Sequence, residues 1–127
     1  MLKNKKGFTL VELLAVIVIL AIILAIAIPG ISGIINSAKK GSFQSDAQMI
    51  VKGIEYRFLE ASVDPTVVTP TVGSVLTSLD QYGANKADYT AAEITNLDPV
   101  TIRLTSSSSS PFGAWTAVAT NGSVTFE

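Results

Sequence analysis

The apolar positions divide the chain into three stretches. From Phe8 to Ile28 it reads FTLVELLAVIVILAIILAIAI, with Glu12 as its one charge. Wound as a helix, that run is about 31 Å long and matches a bilayer hydrocarbon core of about 30 Å. A helix packed in a soluble core keeps a polar face, and Leu13 to Ile28 has none. The run is predicted to span a membrane. From Ile31 to about Ser62 the apolar residues thin to a stripe. It begins with Ile31, Ile34, Ile35 and Ala38 and continues through Phe43, Ala47, Ile50, Val51, Ile54, Phe58 and Ala61. Spacings of three and four predict an amphipathic helix, with Gln44, Gln48, Lys52 and Glu55 opposite the stripe. Gly30, Gly33, Gly41 and Gly53 weaken it by about 1 kcal/mol each against alanine. Unbroken from Phe8 to Ser62, the two stretches form one helix on the order of 80 Å long.

Asp64-Pro65 and Pro70 are predicted to end that helix and open a connecting region over 63–99. Inside it, Ser74–Leu79 reads as a short helix with Val75, Leu76 and Leu79 on one side. Tyr82-Gly83, Asn85 and Lys86-Ala87-Asp88 read as turns. Thr90-Ala91-Ala92-Glu93 fits a capping box that opens another brief helix, ending by Asp98-Pro99. Beyond residue 100 the period changes to two. Val100, Ile102 and Leu104 alternate with Thr101, Arg103 and Thr105, which predicts a strand. Ser106 to Ser110 and Pro111 form a polar loop, and Trp115–Thr120 a second strand. Asn121-Gly122 signals a hairpin whose type I′ turn needs φ > 0 at both residues. Ser123–Glu127 returns with Val124 and Phe126 on one face. The predicted fold is α+β: a long N-terminal helix, half membrane-spanning and half amphipathic, packed on an antiparallel sheet of three or four strands.

Composition then removes most chemistry. The 127 residues suffice for one small domain. There is no histidine and no cysteine, so imidazole bases, thiol nucleophiles, zinc–thiolate sites and disulfides are excluded. No catalytic set, metal site or cofactor site is visible, and the chain reads as a non-enzyme. Charge is informative by position. Lys3, Lys5 and Lys6 precede the apolar run, and no comparable cluster follows before Lys39-Lys40. The positive-inside rule places the N-terminus in the cytoplasm and the rest outside. Without residues 1–7 the chain keeps six basic against ten acidic side chains, a balance of −4. A secretory signal has a shorter apolar core and a small-residue cleavage pattern after it. Here IPGISG follows instead.

The junction reads Lys6-Gly7-Phe8-Thr9-Leu10-Val11-Glu12. A short basic leader, GFTLVE, an unbroken apolar helix and then Pro29 resemble the type IV pilin family. The likeness is specific over about Lys5 to Pro29 and only architectural beyond. It implies a ladle-shaped pilin fold with three parts: a cleaved leader 1–7, a transmembrane and assembly helix 8–29, and a globular domain 30–127. It implies cleavage between Gly7 and Phe8 by a prepilin peptidase, and N-methylation of Phe8. Glu12 takes the place of the family's fifth-position glutamate, which sets the axial register of assembly. Pro29 and Gly30 take the place of the helix break seen in filaments. The implied partners are the lipid bilayer before assembly, further copies of the chain, the peptidase, an inner-membrane platform protein and, indirectly, an assembly ATPase. The implied destination is a pilus on the cell surface. Many pilins close their C-terminal region with a disulfide, and this chain has no cysteine to do so.

The residues themselves leave alternatives open. A carboxylate inside a hydrocarbon segment costs up to about 2.5–3.5 kcal/mol at the centre and less near an interface. Glu12 either snorkels to the headgroups or is a fixed partner for an amine on Phe8 of its own or a neighbouring chain. Pro29 cannot donate to the carbonyl of Ala25, so it either kinks a plain anchor or marks a stretch that extends in a filament. Asp80, Asp88, Glu93 and Asp98 lack calcium-loop spacing and read as solvated charge. Asn121-Gly122-Ser123 matches a glycosylation sequon that the hairpin already explains. The pair Lys39-Lys40 is too little basic charge to claim nucleic acid. Three roles follow: a pilus subunit, a pseudopilin of a type II secretion or competence apparatus, or a membrane-tethered domain whose anchor mimics the motif.

Overall fold

The computed structural model describes Gly7 and residues 9–127. Phe8 and the basic leader, with Lys3, Lys5 and Lys6, lie outside the described residues. A helix, α1, runs from Leu10 to Val63. Two units divide the chain, one reaching Ser37 and the other spanning Ala38–Glu127.

In the first unit the apolar side chains of the described residues are exposed, Ala27 apart. Leu10 is 85% exposed, Leu24 54% and Ile26 75%. The helix is continuous through Pro29 and Gly30. The proline ring removes one hydrogen bond to the preceding turn, yet the turns on either side keep helical geometry. A helix apolar all round and bare all round finds no burial inside its own unit.

The second unit has a conventional core. From α1 it takes Phe43, Ala47, Ile50, Val51 and Ile54, all fully buried, with Phe58 half-buried. These are the stripe positions expected from the sequence. They pack on a four-stranded antiparallel sheet in the order β1 (Tyr89–Leu97), β2 (Val100–Ser106), β3 (Thr116–Thr120), β4 (Ser123–Phe126). Its inner face carries Ala92 and Ile94 from β1, Val100, Ile102 and Leu104 from β2, and Ala117 and Ala119 from β3. Alternation with Glu93, Thr101, Arg103, Thr105 and Val118 on the outer face is what a half-buried sheet requires. One end of the core is aromatic. Phe43 meets the rings of Tyr89, Phe112, Trp115 and Phe126 at centroid distances of 5.3 to 6.1 Å.

Several sequence expectations are corrected. The segment from Thr90 is a strand, β1, and not a capped helix. Its Ala92 and Ile94 are fully buried at a spacing of two, and β2 pairs with it from Tyr89↔Ser106 to Leu97↔Val100. Cross-strand pairing outweighs the helix preference of a few residues. Ser74–Leu79 is not a helix. Val75 bridges Glu93 of β1, and on either side the N–H groups of Gly73 and Leu76 donate to the carbonyls of Ile94 and Ala92, each at 2.8 Å. A 3-10 turn follows at Leu79–Tyr82 and a second at Lys86–Asp88. Ser106 is not loop. It ends β2, is 2% exposed, and its hydroxyl accepts from the Trp115 N–H at 2.8 Å and donates to the Gly113 carbonyl.

The Asn121-Gly122 hairpin forms, but only Gly122 has positive φ, at 84°. That pattern belongs to a type II turn and not to I′. The reason is α1. Gln48 Oε1 accepts from the Gly122 N–H at 2.9 Å, and Gln48 Nε2 donates to the carbonyls of Thr120 at 2.7 Å and Ser123 at 3.2 Å. Asn121 Nδ2 donates to Glu55 Oε2 at 3.3 Å. Four long-range bonds shape the turn from outside, against the local preference of the pair.

Candidate processing and assembly site

The first turn of α1 carries the site. Thr9 precedes the first helical residue, Leu10, and Glu12 is the third position of the helix. The Thr9 N–H donates to Glu12 Oε2 at 3.1 Å, and the Glu12 N–H donates to Thr9 Oγ1 at 3.1 Å. This is a reciprocal capping box, which satisfies two of the donors that every helix start leaves orphaned. The Leu13 N–H then donates to the Thr9 carbonyl at 3.1 Å and closes the first turn. A carboxylate here also faces the positive end of the helix macrodipole.

The arrangement places one acidic group, held by the Thr9 N–H, at the helix start, with an apolar run behind it. Among the described residues no partner engages the second oxygen, Oε1, so the group keeps acceptor capacity. Gly7 is exposed, and a Cβ added there would meet nothing within 4 Å. Among the described residues, packing makes no demand for glycine at that position. Phe8, expected as the cleaved and methylated residue, lies outside the described residues. Pro29 and Gly30 sit within the continuous helix, far along the sequence from the cap. The structure thus brings Thr9 and Glu12 together and leaves Pro29 and Gly30 apart from them.

Thr9 is the residue of this capped turn that the sequence reading did not single out. Its signal was present, because Thr9-Leu10-Val11-Glu12 is a Thr-x-x-Glu box immediately before an apolar run. The same pattern was instead read at Thr90-Ala91-Ala92-Glu93, where the chain is a strand.

Two titratable groups stand out in the second unit. Tyr89 Oη donates to Asp46 Oδ2 at 2.5 Å, joining β1 to α1. Burial raises the Asp46 carboxyl above its usual range, against the lowering effect of that bond, and neighbouring Asp88 raises it further. Burial, then the bond to Asp46, then the charges of Asp46 and Asp88 push the Tyr89 phenol well above its usual range. The pair clamps β1 to α1. Asp80 Oδ1 accepts from the Lys86 N–H at 3.1 Å, and among the described residues no three acidic side chains converge as metal ligands.

A family model described as the prokaryotic N-terminal methylation motif matches residues 2–28. No curated protein and no solved structure matches the chain. The motif is the leader signature of type IV prepilins, and it covers the capped helix start and the bare apolar helix. Over residues 2–28 the chain carries that signature, which supports a type IV pilin-like protein, and the proteins that bear the motif are structural.

Proposed function

We propose that this protein is the structural subunit of a type IV pilus, stored in the cytoplasmic membrane and polymerised through the first half of α1. The observation that carries the reading is the leader motif joined to an apolar helix that finds no burial in its own unit. Prepilin peptidase cuts between Gly7 and Phe8 on the cytoplasmic face, and the new Phe8 amine is methylated. That amine then stands one residue before Thr9, at the end of the helix where Glu12 is already held. An incoming subunit's amine neutralises the Glu12 of its neighbour as the apolar helices leave lipid for one another, and the pair sets the axial register. The stretch before Pro29 and Gly30, lacking one helix bond, is where α1 extends when subunits pack. Growth is non-covalent and uses the inner-membrane platform protein and, through it, the assembly ATPase. The finished filament stands on the cell surface.

The test is an intact mass of the protein from filaments sheared off cells, compared with the membrane fraction. The expected form in the fibres lacks Met1 to Gly7 and is heavier by one methyl group. A processed chain confined to the membrane replaces this reading with a secretion or competence pseudopilin. An unprocessed chain removes both.

A further inference from the structure

The two borders of the sheet are finished differently. The β1 border is closed: Gly73–Leu76 is bonded along it, and β1 carries register irregularities at Tyr89/Ala91 and Ile94/Asn96. Both devices keep other strands away. The β4 border is regular. Its pairing with β3 runs without a shift from Thr120↔Ser123 to Ala117↔Phe126. The Glu127 N–H donates to the Thr116 carbonyl at 2.8 Å, which sets the parity of the ladder. Ser123, Thr125 and Glu127 therefore bond inward, and the N–H and C=O groups of Val124 and Phe126 point away from the sheet. Among the described residues nothing bonds to them.

Beside this border lies a groove of about 400 Å³, lined by Gln44, Gln48 and Lys52 of α1 and by Gly122 and Val124. Gln48 is spent on the hairpin, whereas among the described residues no side-chain bond engages Gln44 or Lys52. Lys52 is exposed, and among the described residues it has no acidic partner in ion-pair distance. At the other end of β4, Lys40 Nζ stands 5.7 Å from the centroid of the Phe126 ring. Near the turn, Glu55 of α1 accepts from Asn121. An open strand border is thus flanked by a cation at each end, on a chain whose balance beyond the leader is acidic.

We propose that the β4 border and its groove are a docking site for an extended, acidic peptide segment of another protein, added as a fifth strand. Main-chain bonds to Val124 and Phe126 supply affinity, and Lys52 and Lys40 select the charge. Another copy of this chain does not offer that segment. Its described acids lie on α1, in the 3-10 turns, in the doubly paired β1, or directly before a proline, as Asp64 and Asp98 do. The remaining one, Glu127, is tied to Arg103 at 3.3 Å.

The test uses the full chain in detergent micelles, with residue-resolved amide exchange. The probes are an octapeptide of alternating glutamate and valine and its lysine–valine counterpart. The acidic peptide is expected to slow exchange at Val124 and Phe126 at least tenfold and the lysine peptide not at all. Lys52→Glu should reverse that order. Val124→Pro leaves no amide at 124, so the effect is read at Phe126, where the slowing should vanish while the inward amides of Val118 and Thr125 stay protected, since a border N–H is the one a strand can lose without harm. The proposal is overturned by no slowing at Val124 and Phe126, by equal slowing with both peptides, or by slowing that survives Val124→Pro. Slowing that appears without peptide and grows with protein concentration also overturns it, in favour of a second copy.

Discussion

The two halves of α1 use the same aliphatic residues and meet opposite fates. Ile22, Ile23 and Ile26 are 54–75% exposed, whereas Ile50 and Ile54 are at 0%. Side-chain type does not separate them, and arrangement does. Beyond Ala38 the apolar residues form one stripe, and the chain downstream supplies a sheet face of matching period to cover it. Before Ser37 they surround the helix, so no single sheet face can cover them. The first half finds no cover within its own unit, as a helix apolar all round requires a partner beyond its own residues. The second half carries the stability of its own unit.

The sharpest way to break this comparison is at the one charge of the first half. Glu12→Val should leave cleavage intact and reduce sheared-filament yield at least tenfold. Glu12→Gln keeps a side-chain acceptor for the Thr9 N–H but loses the charge. If both variants fail to assemble, the charge matters; normal filaments from Glu12→Gln would leave only the cap. Neither should move the unfolding midpoint of the second unit, read through its one tryptophan, Trp115. The converse holds for Phe43→Ala, which should destabilise that unit by about 3–5 kcal/mol. Ile23→Ala should leave the same unit unchanged to within about 0.5 kcal/mol.

Glycines sharpen the contrast. A Cβ at Gly53 would fall 2.2 Å from Tyr82 Cδ1 and 3.1 Å from its Cγ, so the ring would have to move as a whole. Gly53→Ala is expected to cost about 1–3 kcal/mol in denaturant unfolding, in spite of a better helix preference. At Gly33 a Cβ would meet nothing within 4 Å. Gly33→Ala should slow amide exchange in its flanking turns about fivefold, the worth of about 1 kcal/mol of propensity. Failure of that difference would mean that the first half is more closely packed than its own unit shows.

The smallest effect is expected from pH. Tyr89 has a phenol pKa raised above the ordinary 10.0 in the folded chain. A group with a raised folded pKa lends stability that is complete below its unfolded value and lost as pH climbs through the folded one. The second unit should therefore weaken as pH rises above about 10, and Tyr89→Phe should flatten that slope in urea midpoints. By the same sign, Asp46 with its raised carboxyl adds stability that is complete below about 3.8 and declines as pH rises through its folded value.

Two tetrads with one pattern show what the sequence made legible and what it hid. Thr9-Leu10-Val11-Glu12 and Thr90-Ala91-Ala92-Glu93 both match the Thr-x-x-Glu pattern of a capping box, and only the second was singled out from sequence. The first is one, since the helix that follows propagates for many turns whether or not anything packs on it. The second is a strand, since its eight or so residues are too few to hold a helix alone, and β2 and Gly73–Leu76 offer hydrogen bonds on both sides. The Asn121-Gly122 turn makes the same point. Its presence was readable from the pair, but its type was set by Gln48 and Glu55, more than sixty residues away in sequence.

By itself, then, the sequence determined the features whose physics is local or one-dimensional. These are the apolar run long enough for a bilayer, the leader motif with Glu12 inside it, the helical stripe from Phe43 to Phe58, and the alternation of the last strands. Periodicity and length need no knowledge of neighbours. The tertiary structure alone decided that residues 89–97 join the sheet, that Ser106 is core, and that Tyr89 is clamped to Asp46. It also decided that one sheet border is closed and the other open. Each of these depends on hydrogen bonds or burial between segments distant along the chain, and short segments take the conformation that their partners can satisfy.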